Sequence, residues 1–160
     1  LTAISWGAVA QIVSMWIAGR VADRTSASGV VVAGYVIAVV VSFPVFWLVD
    51  TRSAFAITVA MVLGLGLASI PYATVGTTLT QLFPIRLRYS SIALAANIAG
   101  IIAGFMPALA VAIQQAAGGG STGPAILLFS IAAVSLVSSL IARRIIRTAS
   151  SLSANAEMLT

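Results

Sequence analysis

Catalysis needs groups that titrate, attack or ligate, and this sequence holds few of them. Its 160 residues include no Cys and no His. Thiol chemistry, disulfides and the usual zinc and haem ligands are therefore missing. The acidic residues are Asp23, Asp50 and Glu157. All three fall outside the long apolar stretches. No Ser–His pair, carboxylate pair or metal-ligating set lies within those stretches, so the chain does not read as an enzyme. No cofactor and no metal is expected. A proton relay needs a titratable group inside the membrane, and these stretches carry none. What remains is neutral hydrogen-bonding chemistry, from Gln11, Ser69, Tyr72, Thr77 and Asn97. Such groups bond either to a polar solute or to a neighbouring helix.

The elements that carry these residues follow from composition. The chain is 61% hydrophobic and 7% charged, with a mean hydropathy of +1.14. Soluble domains are about 25% charged. That deficit reads as an all-α integral membrane protein in a lipid bilayer. All eight basic residues are arginines, and the net charge is +5. They occur in small groups between apolar runs, which fits membrane orientation and not nucleic-acid binding.

Five spans are predicted, at about 1–18, 29–49, 54–82, 89–114 and 124–142. The first is short for a core of about 30 Å, and the chain opens on Leu1 inside it, so the sequence reads as the C-terminal piece of a longer protein. Gln11 and Ser14 share a face of this span. Gly19–Ser28 reads as a short polar loop. The second span is apolar all round and is expected to face lipid, with Pro44 kinking it. Asp50–Ser53 reads as a turn in which Asp50 and Arg52 pair.

The third span is longer than a straight crossing needs. Gly64 and Gly66 allow close packing. Pro71 cannot donate a backbone bond, so the Leu67 carbonyl is expected to lose its partner. The half after Pro71 is the most polar in the chain. Ser69, Tyr72, Gly76 and Thr80 follow helical spacing and are placed on one face, the best candidate wall for a solute cavity.

Gln81–Ser91, QLFPIRLRYSS, separates the third and fourth spans. A charge at the bilayer centre costs about 2.5–3.5 kcal/mol, so Arg86 and Arg88 belong in water. Pro84 ends the helix before it and pushes Phe83 to extended backbone. The stretch reads as a tight loop. Gln115–Gly123 reads as a flexible connection, and 148–160 as a small, polar, disordered tail. Five spans put Arg20, Arg24, Arg86, Arg88, Arg143, Arg144 and Arg147 on one side and Arg52 on the other. By the positive-inside rule the crowded side is cytoplasmic, with the C-terminus there.

Two stretches resemble a known family. Gly19, Asp23 and Arg24 match the loop motif of the major facilitator superfamily, although Ser26, Ala27 and Ser28 stand where that motif has Gly and two basic residues. Leu82, Phe83, Pro84, Arg86, Arg88, Tyr89, Asn97, Gly104 and Pro107 match the metabolite:proton symporter branch. That branch has a Glu-Leu-Phe-Pro-x-Arg-x-Arg-Tyr loop, followed by Asn and Gly-x-x-Pro in the next helix. Gln81 replaces its usual Glu, and Ser91 stands where Gly is common. The similarity runs over most of Gly19–Arg144.

The resemblance implies helices eight to twelve of a twelve-helix transporter in a bacterial inner membrane. It implies proton-coupled symport of a small organic solute by alternating access, together with the N-terminal half of the same transporter. Gly19, Asp23, Arg24, Arg86 and Arg88 would form a conformational gate. Gln11, Ser69, Tyr72, Thr77 and Asn97 are the cavity candidates, with interhelical bonding as the alternative for Gln11 and Asn97 and bonding to their own helix for the third-span hydroxyls. A sugar porter, a drug exporter and a non-transporting membrane subunit are the competing readings.

Overall fold

In a bilayer no water is available to the backbone, so a spanning segment must close its own hydrogen bonds. The computed structural model meets that demand with helices throughout. It describes residues 2–157, with side chains for residues 2–151. Among the described residues six helices follow one another: α1 (Thr2–Arg24), α2 (Ala27–Asp50), α3 (Ala54–Ala68), α4 (Ile70–Leu82), α5 (Arg88–Ala116) and α6 (Thr122–Glu157). Helices α3 and α4 together make one crossing, so five segments are long and apolar enough to span a membrane.

The boundaries differ from expectation in three places. α1 continues to Arg24, so most of the predicted loop Gly19–Ser28 is helix and only Thr25 and Ser26 join α1 to α2. A helix of 23 residues is about 35 Å long, enough to cross. α6 also continues, through Thr148 to Glu157, where a disordered tail was expected. Residues 158–160 of that tail lie outside the described residues. The third span is broken at Ser69.

Core composition explains the packing. The buried apolar residues are alanines and valines, joined by Ser28, Ser42, Ser69, Thr74, Thr78 and Ser139. Trp6, Trp16, Trp47, Phe55, Phe105 and many Ile and Leu side chains point outward. Lipid tails are as apolar as leucine, so burying large side chains gains little, and close backbone approach decides which helices pair. Glycines show that approach directly. A Cβ built on Gly7 of α1 falls 2.7 Å from Leu65 Cδ1 and 3.0 Å from the Met61 carbonyl oxygen. One built on Gly66 of α3 falls 3.2 Å from the Ala10 Cβ. α1 and α3 are therefore locked together.

α2 occupies the centre. It touches α1, α3, α4 and α6, and its N-terminal half, Ala27 to Gly34, holds most of its buried residues. The expectation that α2 faces lipid holds for its C-terminal half, where Val40, Phe43 and Trp47 are exposed, and fails for its N-terminal half, which packs among other helices. An apolar surface all round suits burial among helices as well as it suits lipid, and here the small Gly, Ala and Ser positions favour burial. Ser26 caps α2 by accepting the Gly29 N–H at 3.2 Å. Phe43 of α2 meets Phe129 of α6 with ring centroids 5.4 Å apart. α5 is the least embedded element, with no buried residue, and it touches only α4 and α6.

The far turns are built and not slack. Asp50 does not pair with Arg52. Its carboxylate accepts a hydrogen bond from the Ser121 hydroxyl, tying the α2–α3 turn to the α5–α6 turn. Gly118 and Gly119 both take positive φ, 79° and 86°. The Gly119 N–H bonds the Gln114 carbonyl at 2.8 Å, closing the end of α5. The short connections force neighbouring spans to run antiparallel, so seven arginines gather at one end of the bundle. Arg143 confirms the alignment: its Nη2 lies 3.7 Å from a Cβ built on Gly29, at the start of α2.

Candidate functional site

The break in the third span is where the sequence departs most from a plain helix. Pro71 lacks the N–H that would reach Leu67. The Leu67 carbonyl is met instead by the Ser69 N–H. Ser69 also donates its hydroxyl to the Leu65 carbonyl at 2.5 Å. The Ala73 N–H reaches the Ser69 carbonyl at 3.3 Å and restarts the ladder. The expected free carbonyl beside Pro71 is thus absent, because the chain repairs its own break. Gly34 of α2 lies against the repaired turn, and Pro71 is buried there. A Cβ on Gly34 would fall 2.6 Å from Pro71 Cδ and 2.8 Å from its nitrogen.

The break turns α4 so that its polar residues divide. Tyr72 is 72% exposed. Gly76 and Thr77 are exposed as well. Thr80 is half-buried and bonds back to the Thr77 carbonyl at 2.7 Å. Ser69, Thr74 and Thr78 are buried against the bundle. The predicted Ser69–Tyr72–Gly76–Thr80 face is therefore split, with Ser69 turned inward and Tyr72 and Gly76 outward.

The remaining cavity candidates stand apart. Gln11 is half-buried on α1. Asn97 is exposed on α5 and donates its amide to the Ala93 carbonyl of its own helix at 2.8 Å. The structure does not bring Asn97 to α4's polar face.

A second polar locus is assembled at the arginine-rich end. A cavity of about 390 Å³ opens between the last turns of α1, the start of α2 and the lower half of α4. Gly19, Asp23, Ser26, Thr74, Thr77 and Gln81 line it. It joins two gate candidates, Gly19 and Asp23, to one cavity candidate, Thr77. Thr74 was not singled out from the sequence, yet its hydroxyl is buried there with no hydrogen-bond partner. The signal was present, since Thr74, Thr77 and Gln81 recur at helical spacing.

The other gate residues lie elsewhere at this end. Arg24 and Arg86 are exposed. Arg88 starts α5, and its Nε donates to the Phe83 carbonyl at 3.4 Å. Phe83 is extended, as the following Pro84 demands (φ −109°, ψ 137°). The Leu87 N–H closes the loop on the Pro84 carbonyl at 3.0 Å. Arg20 is turned away from the cavity, its guanidinium 3.9 Å above the Trp16 ring.

No family model, curated protein or solved structure matches this chain.

Proposed function

We propose that this chain is the C-terminal part of a secondary active transporter of the major facilitator type, moving a small organic solute together with a proton. The observation that carries the reading is the interrupted third span. A helix that breaks near mid-membrane and then exposes Tyr72 and Thr77 is the kind of element that transporters place beside their solute. The loop residues Phe83, Pro84, Arg86, Arg88 and Tyr89 support the symporter branch. So do Asn97, Gly104 and Pro107 on α5.

In this reading the exposed faces of α4 and α5 meet the solute path and the N-terminal half of the protein. That half supplies the proton-binding carboxylate, since the acids of this chain, Asp23, Asp50 and Glu157, stand at the ends of helices. Gly19, Asp23 and Arg24, with Arg86 and Arg88, act as the gate at the cytoplasmic rim. A carboxylate facing a helix N-terminus contributes about 0.3–2 kcal/mol, enough to bias two nearly equal states.

The test is solute uptake by the full-length protein in inverted and right-side-out vesicles, with an imposed pH gradient. Replacement of Tyr72, Thr77 or Asn97 is expected to raise KM or lower the rate for at least one of them. Unchanged affinity and rate for all three would remove these residues from the path. No solute flux under any gradient would favour a non-transporting membrane subunit.

A further inference from the structure

A second cavity at the arginine-rich end, of about 430 Å³, opens between the last turn of α4, the loop after it and the first turns of α5. Its wall changes character along its length. Arg88 and Tyr89 line it at the rim. Ile92, Ala93 and Ala96 continue the same face of α5. From Arg88 to Ala96 that face runs about 12 Å into the apolar span. Thr80, on the α4 side, already donates its hydroxyl to the Thr77 carbonyl.

The charge at the rim is uncompensated. No acid lines this cavity, and Asp23 lines the one between α1, α2 and α4 instead. Arg88 gives its Nε to the Phe83 carbonyl, a neutral partner, so its positive charge remains. The first turn of α5 has no side-chain cap, and its backbone adds a field of the same sign.

The surroundings decide which anion fits. Ile85, Leu87 and Tyr89 are 83%, 60% and 88% exposed, and they alternate with Arg86 and Arg88. Large apolar side chains held out beside arginines suit the headgroup layer, where the chain's greasy and charged parts are both satisfied. α5 buries none of its residues in the bundle, and it barely touches α4. Acyl chains can therefore reach the seam. A free phosphate or an acidic peptide would use the rim and leave the apolar wall without a partner. A molecule with an anionic head and an apolar tail matches both parts.

We propose that this cavity seats an anionic phospholipid from the leaflet at the arginine-rich end. Its phosphate lies against Arg88 and Tyr89, and an acyl chain packs along Ile92, Ala93 and Ala96. Basic pockets between membrane helices hold anionic headgroups by the same balance of charge and apolar contact. The lipid fills the seam between α4 and α5. The site stands on this cavity and does not rest on the transport reading.

The experiment uses the full-length protein in detergent micelles. Native mass spectrometry counts the lipid retained from an equimolar mixture of phosphatidylglycerol and phosphatidylcholine. Phosphatidylglycerol is expected to be retained preferentially. Arg88→Gln should weaken its retention about fivefold, the share of one arginine at a membrane surface, while Arg88→Lys keeps it within about twofold. Ala93→Trp, which fills the apolar end and leaves the arginine in place, should also lose the bound lipid. Arg52→Gln, at the opposite end, should change nothing. Equal retention of the two lipids overturns the proposal. So does a preference that neither Arg88→Gln nor Ala93→Trp reduces. A preference lost in Arg88→Gln but kept in Ala93→Trp, or displaced by inorganic phosphate, would mean an anion contact at the rim alone and would overturn the lipid seat.

Discussion

Gly34→Ala tests the packing on which the third-span break depends. The new methyl carbon would lie 2.6 Å from Pro71 Cδ and 2.8 Å from both Pro71 Cγ and its nitrogen. Carbon atoms in contact rest about 3.5–4.0 Å apart, so the shortfall is about 1 Å. No side chain can rotate out of the way. Cδ and the nitrogen belong to a ring fused to the backbone, so α2 and α4 must part or the turn at Ser69 must deform. Overpacking of this kind costs about 1–3 kcal/mol.

Replacing glycine inside a helix also brings a gain of about 0.5–1 kcal/mol, which would blur the result. Gly76→Ala controls for it, because nothing lies within 4 Å of a Cβ at that position. The helix-propensity gain is common to both variants and cancels in their difference. Gly34→Ala should therefore be less stable than Gly76→Ala by about 1–3 kcal/mol. The assay is equilibrium unfolding of the full-length protein by steric trapping in bicelles, or its melting in detergent. Stabilities that agree within about 0.5 kcal/mol would refute the claim that α2 touches the proline backbone.

The other predictions are simpler. The chain has no native cysteine, so single cysteines at positions 86, 143 and 52 can be labelled from either side of sealed vesicles. Positions 86 and 143 should react from one side and 52 from the opposite side, and any other partition breaks the antiparallel order of the spans. Gly119→Ala should destabilise by about 1 kcal/mol, because φ is 86° there. Gly120→Ala, with ordinary φ and open space around it, should cost little. Equal effects in the two variants would mean that the turn after α5 is slack.

The number of spans was legible because lipid leaves the sequence few alternatives. Eighteen or more apolar residues become a helix, and arginines mark where it must stop. The loop at Phe83–Leu87 was legible for the same reason, helped by Pro84. Helix ends were harder. Gly19–Arg24 looks polar enough to be a loop, yet its backbone bonds are satisfied best by continuing α1. The break at Ser69 followed from Pro71, but its repair by the Ser69 N–H and hydroxyl depends on local torsions that composition does not encode. The cavity was the least legible feature. Asp23 and Thr74 lie on different helices, and only the small residues of the interhelical seams decide that they line one cavity.

Those seams change how the interior of this protein would look to a mutational screen. The largest side chain buried completely is Ser42. Beyond Val30, Val31, Val32, Pro71, Thr74 and Thr78, an alanine survey would therefore trim little from the described interior and would report tolerance at the glycine, alanine and serine seams where bulk is least tolerated. The informative survey runs the other way, adding a leucine or tryptophan at each position. Its intolerant sites should trace the lines of contact between helices, with Gly7, Gly34 and Gly66 among them, and the residues that tolerate bulk should map the surface in contact with lipid.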